Sequence, residues 1–581
     1  MGASNRPTSR VPQVSPLRPG IVNQAQQRVP QVSPLRPGIV NQAQPGVPQV
    51  SPLRPGIANQ AQQRVPQVSP LRPGIANQAQ PWVPQVSLLR PGIAAGLCLI
   101  VSLITGCKPV GPNYQRPVYD TPPIYKETGA SNVTVPPPPP PSGGGWQPAS
   151  PSDGMIKGKW WEIYNDPQLN QFEERIAGVN QNLRSALESY LAAREQVKIA
   201  RSAFSPTLSA GPGVSHDMVS KNRPLAISGT KNSYNDLQLE GQASWEPDFW
   251  GQIRRTVEGA KAAAQASNAD MANVALSLES EVAEDYFNLR GLDLQKQLLD
   301  KDIEDLTNQL DLTKRRLRGG IGTEADVALA QTQLDTTRAQ LIDVGVARAE
   351  FEHAIGTIAE YQLPSFSIAP NPLPLDADAG LPTIPLGVPS QLLERRPDIA
   401  AAERLAAQAN AQIGVAISAF YPTISLGGAG GFESTHIGTW IQGPSALWSL
   451  GAQATQLLID GGKRKAVSQQ ARDFFEASAS NYKVAVFTAF NEVEDKLSDL
   501  RIVEEEEKAQ TAAVADAQHS FDVSNQRYKG GVTTYLEVLT AENTLIQNQR
   551  TAATLRSRRY ASSVELIRSL GGGWDASQIP K

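Results

Sequence analysis

The chain has 581 residues, a formal net charge of −3, 19% charged residues and 6% aromatic residues. So slight a charge imbalance argues against a polyanion-binding protein, and nucleic acid is not expected as a partner. Outside one apolar segment near Ile93 no run of about 18 apolar residues occurs, which excludes a helical membrane protein but not a β-barrel, whose strands are short and only half apolar.

The N-terminal segment, 1–87, is a repeat array. Val11 to Gln26 reads VPQVSPLRPGIVNQAQ, and the phrase restarts at Val29, Val47, Val65 and Val83, a period of 18 residues. Proline and glycine recur too often for a helix or a paired strand. Each unit has too few apolar residues to bury a face, so the array reads as disordered. It also reads as a segment translated only on paper, with the working start near Val86 to Leu89. Mass spectrometry that detects peptides from Arg10 to Gln80 in cells would sink that expectation.

Residues 88–106 carry Arg90 and then a mostly apolar run from Ile93 to Ile104. Those are the dimensions of a signal-peptide core, too short for a span. The run ends Leu103-Ile104-Thr105-Gly106-Cys107, which resembles a bacterial lipobox. Such a signal implies cleavage before Cys107 and acylation of that residue. Several acyl chains, at about 0.8 kcal/mol per buried CH₂, anchor effectively permanently. By resemblance to lipoprotein sorting signals, Lys108 in place of an aspartate implies the outer over the inner membrane. Cys98 and Cys107 are the two cysteines, so the body has no disulfide framework. Residues 107–154 are proline-rich, with Pro136 to Pro141 and Gly143 to Gly145, and read as an extended tether.

The body repeats itself. Arg316 to Val327 matches Arg527 to Val538 at a shift of 211, and Ser202 to Ser209 matches Ser418 to Ser425 at a shift of 216. Two halves follow, 155–362 and 390–574, joined by a proline-rich connector at 363–389. Each is expected to run helix, short β region, long helix, glycine turn, helix. The first long helix is expected from Gly251 to Arg318, roughly 100 Å at 1.5 Å per residue. Leu299, Ile303, Leu306, Leu310 and Leu317 give it heptad spacing, and Val493, Leu497 and Leu500 repeat the rhythm. Seams this narrow suit helices packed side by side in a tube.

Between the helices the period becomes two. Leu237, Leu239, Gly241, Ala243 and Trp245 form one face against Gln238, Glu240, Gln242 and Ser244. Trp448, Leu450, Ala452 and Ala454 oppose Ser449, Gly451, Gln453 and Thr455. Apolar-out, polar-in strands suit a membrane barrel with a wet lumen; a soluble sheet with one wet face is the plainer alternative. One hairpin per half makes four strands per chain. Four cannot close a useful barrel, so several chains must share one.

Several motifs together resemble the outer membrane factor family of TolC-like exit ducts, in its NodT-like lipoprotein branch. They are the lipobox with Pro109-Val-Gly-Pro-Asn-Tyr114, Trp160-Trp161, Asp166-Pro-Gln-Leu169, Leu392-Leu-Glu-Arg-Arg-Pro-Asp-Ile399, Ala419-Phe-Tyr-Pro-Thr-Ile-Ser425, Asp460-Gly-Gly-Lys-Arg464 and Gly530-Gly531 with Thr534. The resemblance covers Cys107 to Trp574; the 18-residue array has no counterpart in it. It implies a mainly α fold with a β-barrel segment. A homotrimer would form a 12-stranded outer-membrane barrel, four strands per chain, continued by a coiled-coil helical tube in the periplasm. It implies an efflux channel subunit, lipid-anchored in the outer membrane, passing small molecules such as drugs or metal ions. The implied partners are a periplasmic adaptor (membrane fusion protein) and an inner-membrane RND-type pump. An exit duct for type I protein secretion and a poreless coiled-coil lipoprotein are the alternatives kept open.

Within that resemblance the hairpin tips, Gly319, Gly320, Gly322 and Thr323 with Gly530, Gly531 and Thr534, would meet the adaptor. Thr533, Glu537 and Thr540 correspond to the periplasmic constriction, with Asp326 the matching acid of the first repeat. Three copies of Glu537 would form an acidic ring favouring cations; the plainer reading makes Glu537 and Asp326 first-turn acids that suit the helix dipole. Arg395 to Asp398 read as a helix start, and Glu504 to Glu507 as a solvated face. His216, His353, His436 and His519 lack ligand spacing, so no metal site is expected. No catalytic constellation and no cofactor motif occurs.

Overall fold

The computed structural model describes residues 108–129, 133–134, 158–222, 232–375, 381–387 and 389–580. The repeat array, the signal segment, Cys107 and the Pro136–Pro141 run lie outside the described residues.

In chain order the elements are β1 (Val133–Thr134), α1 (Pro167–Val179), α2 (Gln181–Ser202), β2 (Thr207–Met218), β3 (Ser233–Trp245), α3 (Gln252–Arg318) and α4 (Glu324–Ile358). The second half continues with β4 (Ile384–Pro385), α5 (Leu392–Arg395), α6 (Pro397–Ser418), β5 (Thr423–Ser434), β6 (Ala446–Thr455), α7 (Lys463–Lys529) and α8 (Tyr535–Ser569). The duplication is visible in lengths alone. α2 and α6 each have 22 residues, α3 and α7 each 67, and α4 and α8 each 35.

In both halves a shorter helix precedes the 22-residue one, α1 with 13 residues in the first half and α5 with four in the second. The first-half break falls at Asn180, whose extended backbone stops α1 and whose side chain accepts from Asn182 N and Leu183 N to start α2. Asp166 caps α1 in the same way, with Pro167 in the first turn.

Both long helices begin with an acid–arginine clamp. Asp460 Oδ2 accepts from Arg464 N and Nε, and its Oδ1 from Gly462 N. This accounts for the Asp460-Gly-Gly-Lys-Arg464 motif. Asp248 does the same for α3, accepting from Ile253 N, Arg254 N and Arg254 Nε, each at 3.0 Å.

The four long strands form one antiparallel sheet, ordered β2-β3-β5-β6. The register sets Leu208 opposite Ala243, Val214 opposite Leu237, Phe432 opposite Leu239, Leu426 opposite Trp245, Leu450 opposite Gly428 and Trp448 opposite Gly430. Paired residues share a face. The two apolar faces read separately from β3 and β6 are therefore one continuous apolar face. Ser209, Gln242 and Ala429 pair along the other side, with Ser449 beside Ala429. Within one chain the apolar side chains have nothing over them: Leu208, Trp448 and Leu450 are 80–84% exposed. Among the described residues no helix is long and apolar enough to cross a membrane.

The main core lies midway along the long helices. Trp160, Leu169, Phe172 and Ile176 pack with Tyr286, Phe287 and Leu289 of α3, Tyr482, Val493 and Leu497 of α7, and Tyr560 and Val564 of α8. Fully burying each such side chain stabilises by about 1.5–3 kcal/mol. The connector is laced to this region: Arg348 donates to Ile368 O, Arg290 to Asn371 O and Arg556 to Pro374 O. Of the expected solvated face, only Glu505 and Glu506 are exposed. Glu504 and Glu507 are buried, and Glu507 bridges Arg556 at 3.2 Å and Arg559 at 2.6 Å. An i, i+3 pair shares one helix side, so one side of the acidic run turns inward.

Candidate functional site

Two places concentrate features with no structural use inside a single chain: the hairpin tips and an open seam along the molecule.

At the first tip, Gly319 N, Gly320 N and Ile321 N donate to Arg315 O, Leu317 O and Arg316 O, closing the end of α3. Gly320 has φ +74, and Gly531 at the second tip has φ +75. Side chains rarely tolerate that backbone, which explains a glycine at both reversals. Thr323 and Asp326 then form a reciprocal capping box: Asp326 N donates to Thr323 Oγ1 at 3.1 Å, and Thr323 N donates to Asp326 Oδ2 at 3.0 Å.

The second tip differs by one methylene. Glu537 occupies the position matching Asp326, and Thr534 makes no side-chain cap. The Glu537 carboxylate accepts instead from the Thr533 hydroxyl and lies 3.1 Å from Arg527 Nη1. Both ion-pair partners are about half exposed, so the pair contributes only about 0–1 kcal/mol. Of the four residues expected at the constriction, the chain brings Thr533 and Glu537 together. Thr540 bonds its own helix through Leu536 O at 2.8 Å, and Asp326 is held inside its own hairpin by the box with Thr323.

The hairpins are joined just behind the tips. Arg316 donates to Tyr528 O at 3.0 Å and stacks over the Tyr528 ring at 4.4 Å, while Tyr528 and Tyr535 meet ring to ring at 5.4 Å. Leu306, Leu310, Ala330, Leu334, Val538, Leu539 and Ile546 complete a small core there. Within it Glu542 is 4% exposed, accepting from Gln309 Nε2 at 2.7 Å through one oxygen. Burial, with Asp302 and Asp305 nearby, pushes its carboxyl up to about 8. Sequence reasoning missed Glu542 because it read no heptad seam over 535–569, although Val538, Glu542 and Leu545 fall at steps of four and three.

The seam follows from comparing the halves. α6 packs between α3 and α7 and buries a full face, whereas α2 packs on α3 and has no buried residue. α8 packs on both α7 and α3; α4 packs chiefly on α3 and leaves Ile342 and Val346 exposed. On α7, Phe474, Val484 and Phe487 are also exposed. The edge strands β2 and β6 each lack one neighbour. The edge strand β2 follows directly on the uncovered α2, and the edge strand β6 leads directly into α7.

The described chain begins beside the sheet. Val110 N donates to Trp250 O at 3.0 Å, just after β3, and Arg255 holds Val110 O and Gly111 O. From there the Pro109–Tyr114 motif runs down α6, through Asn410 to Pro112 O and Tyr114 to Glu403 O, and Lys126 and Glu127 reach Glu494 in the middle of α7. Arg396 joins the start of α6 to Ser569 O at the end of α8 and to Glu492 at 2.7 Å, while also holding Asp398. Among the described residues no cluster of three or more metal-ligating side chains occurs.

The family model for outer membrane efflux proteins matches residues 174–358 and 388–572. The probable efflux pump outer membrane protein TtgC of Pseudomonas putida is 29% identical over 416 residues, which is 71% of this chain and 85% of that protein. The pyoverdine export outer membrane protein OpmQ of Pseudomonas aeruginosa is 28% identical over 435 residues, 74% of this chain and 90% of the relative. Among solved structures, the outer-membrane channel OprN aligns with a TM-score of 0.71 at 26% identity, covering 80% of this chain and 99% of that one. The open-state MtrE outer membrane channel of Neisseria gonorrhoeae aligns at 0.68 and 25% identity, covering 81% and 99%.

Proposed function

The chain belongs to the outer membrane efflux protein family, and from that premise we propose that three copies close along the open seam into one passive duct. The protein is the outer-membrane channel of a tripartite efflux system, working with a periplasmic adaptor and an inner-membrane pump. The seam carries the trimer proposal. A four-stranded sheet with two free edges cannot enclose a lumen, and the edge strands β2 and β6 adjoin in the chain α2 and α7, which carry exposed apolar residues. A ring gives β2 a neighbour in β6 of the next copy. By the internal symmetry, it gives α2 the α7 surface that corresponds to the α3 surface covered by α6 within the chain. The apolar sheet face then meets lipid and the polar face lines the bore.

Cys107 is the proposed lipid anchor. Lys108 follows it directly, and Val110 is bonded at the base of the sheet, where a lipid anchor would be placed. The tips around Gly319–Thr323 and Gly530–Thr534, with exposed Ile321, Val532 and Leu536, are the proposed adaptor contact. Thr533, Glu537, Thr540 and Asp326 are the proposed periplasmic gate. The cargo is proposed to be small molecules such as drugs or metal ions; the relative OpmQ is named for export of the small molecule pyoverdine. The duct performs no chemistry; its energy comes from the pump. Purified protein in planar bilayers is expected to give discrete conductance steps. Stable oligomers that never conduct would favour a poreless coiled-coil lipoprotein instead.

A further inference from the structure

Glu542 has no role in the reading so far, and its surroundings are unusual. Its Oε2 is buried without a partner, and on α3 the Asp302 Oδ2 is likewise buried without one. α3 presents Asp302, Asp305 and the neutral Gln309 to it. Tyr535 stands on its own helix toward the tip, with Tyr528 of α7 beyond. The Gln510–Asn548 bond sets the α7–α8 register and brings buried Ala517 about level with Glu542, with Asp516 and His519 on exposed faces. α4 contributes Ala330 and Leu334 to this core, while its Asp335 and Arg338 are exposed and pair with each other. Among the described residues acting on Glu542, none is a cation.

A buried carboxylate with acids for neighbours and no cation is unstable as an ion. It can persist as a neutral acid, or the helices can part and admit water. The contact in question is that of α8 on α3, which ties one hairpin to the other behind the tips.

We propose that Glu542 is a proton-operated latch: protonated, it lets α8 pack on α3 and keeps the periplasmic end narrow; ionised, it drives the two hairpins apart and widens that end. The sign follows from linkage. The packed state holds the proton up to about pH 8, whereas an exposed glutamate loses it near its ordinary 4.5. The packed arrangement is therefore fully favoured below 4.5 and loses its advantage as pH rises toward 8. Burial and Asp305 also raise Asp302, to about 6, which adds to the same trend.

This inference rests on the channel reading. The test is conductance of the full-length trimer in planar bilayers, with the periplasmic side titrated from acid to pH 8. Opening should rise with pH, by at most about tenfold per unit for each proton released, with one such proton in each of the three chains. Glu542→Gln should stay in the narrow state at every pH. Asp302→Asn, which removes a like charge without touching Glu542, should make the rise level off at lower pH. Conducting trimers with a flat profile, or Glu542→Gln with the native profile, overturn the latch and leave the channel intact. If nothing conducts at any pH, the channel reading falls. Amide exchange across 538–546 then decides the latch separately: pH-dependent opening beyond the intrinsic rate supports it, and its absence overturns it.

Discussion

Arg316 and Arg527 are the same position in the two repeats, yet they make different bonds. Arg316 reaches across to the other hairpin, donating to Tyr528 O at 3.0 Å, whereas Arg527 stays home and pairs with Glu537 at 3.1 Å. The first arginine ties the hairpins together. The second pairs with Glu537, the acid of the proposed gate.

This predicts that Glu537→Ala alters ion selectivity and closure of the channel in planar bilayers. Arg527→Ala, by exposing the Glu537 charge, should increase cation preference. Unchanged selectivity and closure in both variants would remove Glu537 from the gate.

Asp248→Ala should weaken the start of α3. It removes an acceptor for two backbone N–H groups and a guanidinium, so a loss of about 1–2 kcal/mol is expected in denaturant unfolding. Asp460 is the matching residue of α7. Its hydrogen bonds with Arg464 hold its carboxyl below the usual carboxylate range. Its contribution is therefore present above the ordinary value and is lost as pH falls through the lowered one. Asp460→Asn should flatten the acid limb of the stability profile.

Glu173 makes the opposite prediction. It is 1% exposed, neither carboxylate oxygen has a partner, and burial, with Glu279 close by, raises it well above the usual range. The folded state keeps its proton longer than the unfolded chain, so stability falls as pH rises through the folded value. Glu173→Met should be neutral or stabilising at pH 8 and should reduce that slope. A strongly destabilised variant with the native slope would contradict this account.

Arg396 is buried and serves Asp398, Glu492 and Ser569 O together. Arg396→Ala should cost about 1–3 kcal/mol, because it leaves the buried Ser569 carbonyl without this donor, while Asp398 and Glu492 are partly exposed. Arg396→Lys should recover only part of this, since one ammonium cannot span the same fork. Thermal unfolding of the three proteins checks the order.

What was legible in the sequence was what repeats locally. The shifts of 211 and 216 between halves reappear as helices of identical length, and the period-two faces of β3 and β6 reappear as one sheet surface. Leu299, Leu306, Val493 and Leu497 are fully buried because a heptad seam is a local pattern. The rest depends on distant partners. Glu504 and Glu507 are turned inward by Arg556 and Arg559, some fifty residues away. Asp326 and Glu537 occupy the same place in the repeat, and a single methylene decides which one closes a capping box. The Pro109–Tyr114 motif became intelligible only once Val110 was seen bonded to Trp250 and Tyr114 to Glu403.

The central claim is that copies of the chain complete one another along the seam. Inside the chain, a Cβ at Gly259 of α3 would stand 3.4 Å from Gln412 Nε2 and 3.5 Å from Ala411 Cβ of α6. The repeat shifts carry that contact to Gln470 of α7 and to Glu195 and Gln196 of α2, all exposed. Gln470→Cys combined with Gln196→Cys, oxidised in isolated outer membranes, should give a disulfide-linked trimer on a non-reducing gel. Only monomers, or a ladder that passes three without stopping, would contradict the closed three-copy duct.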